Sequence, residues 1–130
     1  MKDMLDIIYD AFLKNEIIAG ECEGRIKYYL YPETADTSKP FITIRPMRPP
    51  SAANYASDKN LSYQFAYQID VQSHDRKTCK RLQHEIKNVL EQLGFTQQAN
   101  DGLDEYFDET KRFVDARRYF KTSDLHDTDY

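Results

Sequence analysis

The sequence predicts an α+β domain, a mostly antiparallel sheet of about four or five strands with two helices packed on one face. Three observations predict it. The stretch "LSYQFAYQIDVQ" at 61–72 alternates apolar and polar residues without exception, the period of a half-buried strand. At 76–93 the period changes: Cys79, Leu82, Ile86, Val89, Leu90 and Leu93 recur at helical spacing. Before both stand two short runs rich in β-branched and aromatic residues, preceded by one amphipathic segment at the start of the chain.

Taken in order, "MLDIIYDAFLK" at 4–14 places Met4, Ile7, Ile8, Ala11 and Phe12 on one helix face, with Asp3 as N-cap. Gly20 and Gly24 mark a connection. "RIKYYLY" at 25–31 reads as a strand with Ile26, Tyr28 and Leu30 on one face, and "PETADTSKP" at 32–40 as a polar, hairpin-type loop. "FITIRP" at 41–46 is a strand that Pro46 stops. "PMRPPSAANYASDKN" at 46–60 reads as a long irregular loop, of the length that tends to be functional or disordered. The strand at 61–72 sets Leu61, Tyr63, Phe65, Tyr67, Ile69 and Val71 on a buried face. The other face is uncharged except for Asp70, which also suits contact with a neighbouring subunit.

The helix at 76–93 ends at Gly94, placed for a left-handed conformation, and Phe95 can pack back on its last turn. Lys80, Arg81, Lys87 and Glu91 take its solvent side. After a polar loop, Arg112–Phe120 reads as a strand with Phe113, Tyr119 and the odd positions between them on one face, and Asp108–Thr110 turns a short hairpin before it. The order is α-β-β-β-α-β, or α-β-β-β-α-β-β where the last strand is doubled. Residues 1–121 form a single domain and 122–130 a polar, frayed tail.

The totals narrow the function classes. A chain of 130 residues is one domain's worth and can bury a sizeable core. A net charge of −4 argues against a general nucleic-acid binder. The opening residues carry acids through their apolar positions, unlike a signal peptide, and no apolar run approaches a bilayer span. Cys22 and Cys79, isolated from one another, read as reduced thiols. Ten tyrosines with no tryptophan hint at protein interfaces, because tyrosine packs its ring while its hydroxyl stays hydrogen-bonded.

Chemical vocabulary is sparse. Ser73, His74 and Asp75 carry the residue types of a hydrolytic triad, but such groups must converge in space rather than in sequence. At a strand-to-helix junction, Ser73 or Asp75 caps the first turn instead. No Gly-x-Ser-x-Gly elbow accompanies them. His74, His84 and His126 lack metal-ligand spacing, and "DGLDEYFDE" lacks the framework of a calcium loop. The expectation is no catalytic, metal or cofactor site. The basic residues of "KRFVDARR" at 111–118 are surrounded by acids, which favours a charge-complementary protein interface over nucleic acid.

The layout resembles a known family, the small tail-completion proteins of long-tailed phages and Gram-positive prophages, and within it the tail-terminator class. The residues that carry the likeness are "MLDIIYDAF", the strand "YQFAYQIDVQS" leading directly into "KTCKRLQHEIKNVLEQLGF", and "DEYFDETKRFVDARRYF", together covering about residues 4–121. The resemblance implies an α/β fold assembling as a ring, usually a hexamer, that caps the tail tube and connects it to the head. It implies no enzymatic activity and no cofactor. Expected partners are further copies of the chain, the tail tube protein and head connector proteins, with no membrane and no sequence-specific nucleic acid. The expected location is the virion's head–tail junction, after synthesis in the host cytoplasm. The family offers no residue motif, so the contact candidates come from this sequence: Arg45, Arg48 and Tyr55 on the long loop, and Arg112, Arg117 and Arg118 on the last strand. A head-side adaptor or stopper ring is the neighbouring alternative, and a small hydrolase using His74 and Asp75 the distant one.

Overall fold

The structure, a computed structural model, describes residues 3–47, 51–56, 59–98 and 102–124, with backbone alone at 51–56, 59–63 and 123–124. The elements are α1 (Met4–Lys14), α2 (Glu16–Cys22), β1 (Ile26–Tyr28), β2 (Phe41–Pro46), β3 (Ser51–Ala56), β4 (Lys59–Ser73), α3 (Arg76–Gln92), β5 (Thr96–Gln97), β6 (Leu103–Phe107) and β7 (Arg112–Asp124). The class is α+β as expected. Among the described residues the sheet is mixed and has seven strands rather than four or five, and three helices pack on it rather than two.

Asn15 accounts for the additional helix. Its extended backbone ends α1, while its side-chain oxygen accepts from the amides of Ile17 and Ile18, both at 3.0 Å, and so starts α2. Gly20 therefore lies inside a helix rather than in a connection. The α1 start is as expected, with the Asp3 carboxylate accepting from the Leu5 amide at 2.9 Å. At the far end of α3, Gly94 adopts φ +94° and the Phe95 amide returns to the Leu90 carbonyl at 2.8 Å, burying its ring.

β4 is the spine of the sheet. One of its edges pairs with β7 from Ser62 to Ser73; the other carries β2 at 67–72 and β3 at 59–64. The expected irregular loop at 46–60 thus contains a strand, because its small residues can lie flat against β4 with bulges between Ala52 and Tyr55. β1 pairs with β2 in parallel, so 32–40 is a crossover and not a hairpin. A parallel neighbour requires the chain to travel back before β2 begins. β1 also stops early: Tyr29 has φ +66°, and Leu30 is 70% exposed instead of sharing the face of Ile26.

Beyond β7 runs a composite edge. Gln97 pairs with Tyr119 and Leu103 with Ala116, so six steps along the edge stand against three along β7. Gly102, with φ +123°, stands immediately before β6. The hairpin from β6 into β7 turns at 108–111, close to its expected place. β7 continues to Asp124, three residues into the segment read as a tail, while 125–130 lie outside the described residues.

All three helices cover the face that carries the odd-numbered residues of β4. Met4, Ile8 and Phe12 of α1, Ile18 of α2 and Leu82, Ile86 and Leu90 of α3 pack on Ile42, Ile44, Phe65, Ile69 and Val71. Each fully buried aliphatic chain contributes roughly 1.5–3 kcal/mol through removal from water. Gln83 is buried among them, donating to the carbonyls of Ile69 (2.9 Å) and Asp115 (2.8 Å) and accepting from the Tyr119 hydroxyl (3.4 Å). Lys80, expected on the solvent side of α3, instead reaches Asp115 at 2.7 Å and Asp104 at 2.5 Å.

Candidate functional site

Period two sends the even-numbered residues of β4 and β7 to the face without helices. That face is polar yet tightly ordered. Three arginines lie over it, each anchored through Nε to an even-numbered side chain of β4. Arg45 pairs with Asp70 at 2.8 Å, Arg112 donates to the Gln72 carbonyl oxygen at 3.2 Å, and Arg118 to that of Gln68 at 3.1 Å. Gln68 in turn donates to Asp70 at 2.9 Å, so two arginines are joined through one carboxylate and one amide. Asp70 is 5% exposed; its charge is tolerated there because it is both paired and hydrogen-bonded.

Small side chains form the floor beneath them. Thr43, Ala66, Val114 and Ala116 are buried although no helix covers them, because the long arginine and glutamine side chains lie across them. Tyr31, on the crossover, stacks on Phe41 with ring centroids 3.9 Å apart, and the Arg112 guanidinium lies 5.4 Å from the same ring. Leu103 and Phe107 of β6 rise on the other side. Between Arg45, Asp70, Phe107, Thr110 and Arg112 lies a trough of about 360 Å³. With guanidinium nitrogens held in place and apolar rings beside them, it can bind carboxylate-bearing or amide-rich protein surface.

The expected contact residues divide between locations. Arg45, Arg112 and Arg118 converge on this open face. Arg117 points to the helix face, where its Nε meets the buried Asp115 at 3.0 Å and completes a cluster with Lys80 and Asp104. In that cluster burial opposes the Lys80 charge, but its hydrogen bonds to the Asp104 and Asp115 carboxylates outweigh it and hold the ammonium pKa above its usual value. The hydrogen bond from Lys80 holds the Asp104 carboxyl below its own. Arg48 and the Tyr55 side chain lie outside the described residues. Gln68, Asp70 and Gln72, which anchor the arginines, were legible only as a strand face uncharged except for Asp70.

The Ser73–His74–Asp75 junction has no convergent geometry. Ser73 Oγ accepts from the Asp75 amide at 3.0 Å, and His74 Nδ1 lies 2.7 Å from the Lys111 carbonyl. Asp75 accepts from the Thr78 hydroxyl at 2.8 Å, which lowers its pKa. Asp75 occupies the N-cap of α3 but makes no side-chain bond to the helix amides, so the expected capping bond is absent and its carboxylate meets the Thr78 hydroxyl instead. Among the described residues no three His, Cys, Asp or Glu side chains are placed to hold a metal, and no helix is long and apolar enough to cross a membrane.

The chain matches no protein-family model and no curated protein.

Proposed function

We propose that the chain is a structural virion-assembly protein of a long-tailed phage or prophage, a tail terminator or head–tail joining subunit that caps the tail tube and connects it to the head. The open sheet face carries this reading. Arg45, Arg112 and Arg118 are pre-positioned through Nε by Asp70, Gln72 and Gln68, which lowers the ordering cost of a protein contact. Apolar rings flank them, and aromatic and arginine side chains are the residues that anchor protein interfaces. In this reading the face meets the tail tube protein or a head connector protein, and the protein acts by assembly rather than by catalysis.

The test is electron microscopy of tails assembled with and without the protein. Overlong tubes, or tubes unable to join heads, are expected in its absence. Tubes of normal length that join heads would sink the reading. Arg112→Glu combined with Arg118→Glu should reproduce the deletion while leaving the denaturation midpoint close to that of the parent.

A further inference from the structure

We propose that the trough on the open sheet face takes an extended acidic segment of the partner protein, with carboxylates two residues apart. One carboxylate meets Arg112 and the other Arg45. For the source of the segment the inference rests on the tail reading, while its binding depends on the trough alone.

Spacing carries the inference. Arg45 is anchored on Asp70, and Arg112 on Gln72, two residues further along β4. Side chains two apart on a strand are separated by about 7 Å, and so are those on one side of any extended peptide. A segment laid along β4 over the open face therefore meets the two guanidinium groups at its own repeat. Carboxylates at successive positions point to opposite sides, so only one of such a pair can reach the sheet.

The two arginines contribute differently. Each is anchored through Nε, which leaves the two Nη atoms as an edge that donates parallel hydrogen bonds to a carboxylate. Gln72 is neutral, and among the described residues no carboxylate pairs with Arg112, so its charge is not cancelled at its anchor. Arg45 shares its charge with Asp70, although its own side chain stays 45% exposed. Arg112 thus supplies the main attraction and Arg45 the register.

Leu103 and Phe107, both exposed, line the trough on the β6 side. Apolar surface beside the guanidinium groups excludes water from a bound segment and strengthens its charge contacts. Glu109 also lines the trough and opposes any anion there, which limits the affinity. With a net charge of −4 for the whole chain, it disfavours a continuous polyanion such as single-stranded DNA. A segment whose acids alternate with neutral residues carries half that charge density.

The experiment uses the purified full chain and short, blocked fluorescent peptides, read by anisotropy at low ionic strength. A peptide alternating threonine with glutamate should bind with a dissociation constant below about 1 mM. A peptide of the same composition with its glutamates contiguous should bind about fivefold more weakly. Arg112→Gln should weaken the alternating peptide about tenfold. Glu109→Gln should tighten it about threefold, a gain that damage to the fold does not produce. Arg45→Gln, made together with Asp70→Asn so that no buried charge is left unpaired, should bind both peptides alike. Equal binding of the two peptides by the parent overturns the proposal, as does no binding up to about 1 mM. Tighter binding of a threonine–lysine peptide or of an oligothymidylate also overturns it. The peptide comparison uses the parent chain, so it decides the matter even where a variant fails to fold. Overlong tails in the protein's absence, beside a parent that binds no peptide, would leave the tail reading standing without this inference. Tails of normal length, beside selective binding of the alternating peptide, would leave the trough's ligand standing without the tail reading.

Discussion

A Cβ placed on Gly102 would lie 2.1 Å from the Ala116 carbonyl oxygen, and the residue's φ of +123° is one that side chains rarely adopt. β6 begins at the next residue, so its ladder with β7 can start here only with glycine at this position. Gly102→Ala should lower stability by about 2 kcal/mol or more, read as a fall in urea midpoint with an unchanged slope. The adjacent arginines 117 and 118 also owe their different roles to position. Alternation alone sends them to opposite faces, which the sequence shows. That Arg117 meets a buried carboxylate and Arg118 a glutamine amide depends on which strands and helices cover each face. The Ser73–His74–Asp75 cluster was readable as a strand-to-helix junction, because helix starts are short-range events, but the expected side-chain bond to the first-turn amides is not made.

At the scale of elements, the long strand β4 and helix α3 were legible because each sustains its period over many residues. The seven-residue α2 was not, since two turns of "EIIAGEC" carry little periodic signal and include a glycine. Its existence depends on Asn15, whose amide nitrogen also donates to Glu85 of α3 at 3.1 Å. Asn15→Ala should cost about 1 kcal/mol, at the usual scale of a lost cap, and hydrogen exchange at Ile17 and Ile18 should accelerate ahead of the core. The parallel pairing of β1 and β2 was likewise hidden. The loop at 32–40 has the polar composition of a hairpin turn, and only the placement of β1 beside Ile42–Ile44 shows that the chain doubles back.

At the scale of the whole molecule, the core sets how stability depends on pH. Burial pushes the thiols of Cys22 and Cys79 up from 9.0 to about 12, and burial raises the Tyr119 phenol from 10.0 to about 12. Raised values mean that the folded state holds protons the unfolded chain releases. Their stabilisation is complete below pH 9 and is lost as the pH climbs toward 12. A series of denaturation midpoints should therefore fall across that window, and at pH 8 a thiol reagent should label neither cysteine until the chain unfolds. The same core divides the sheet into a helix-covered face and an open one. By itself the sequence determined the α+β class, the spine strand and the main helix, because these follow from local periodicity and short-range bonding. Only the tertiary structure decided which arginines share a face, which carboxylates anchor them and which strands lie at the edges, because those relations join residues that pairing and packing bring together from distant parts of the chain.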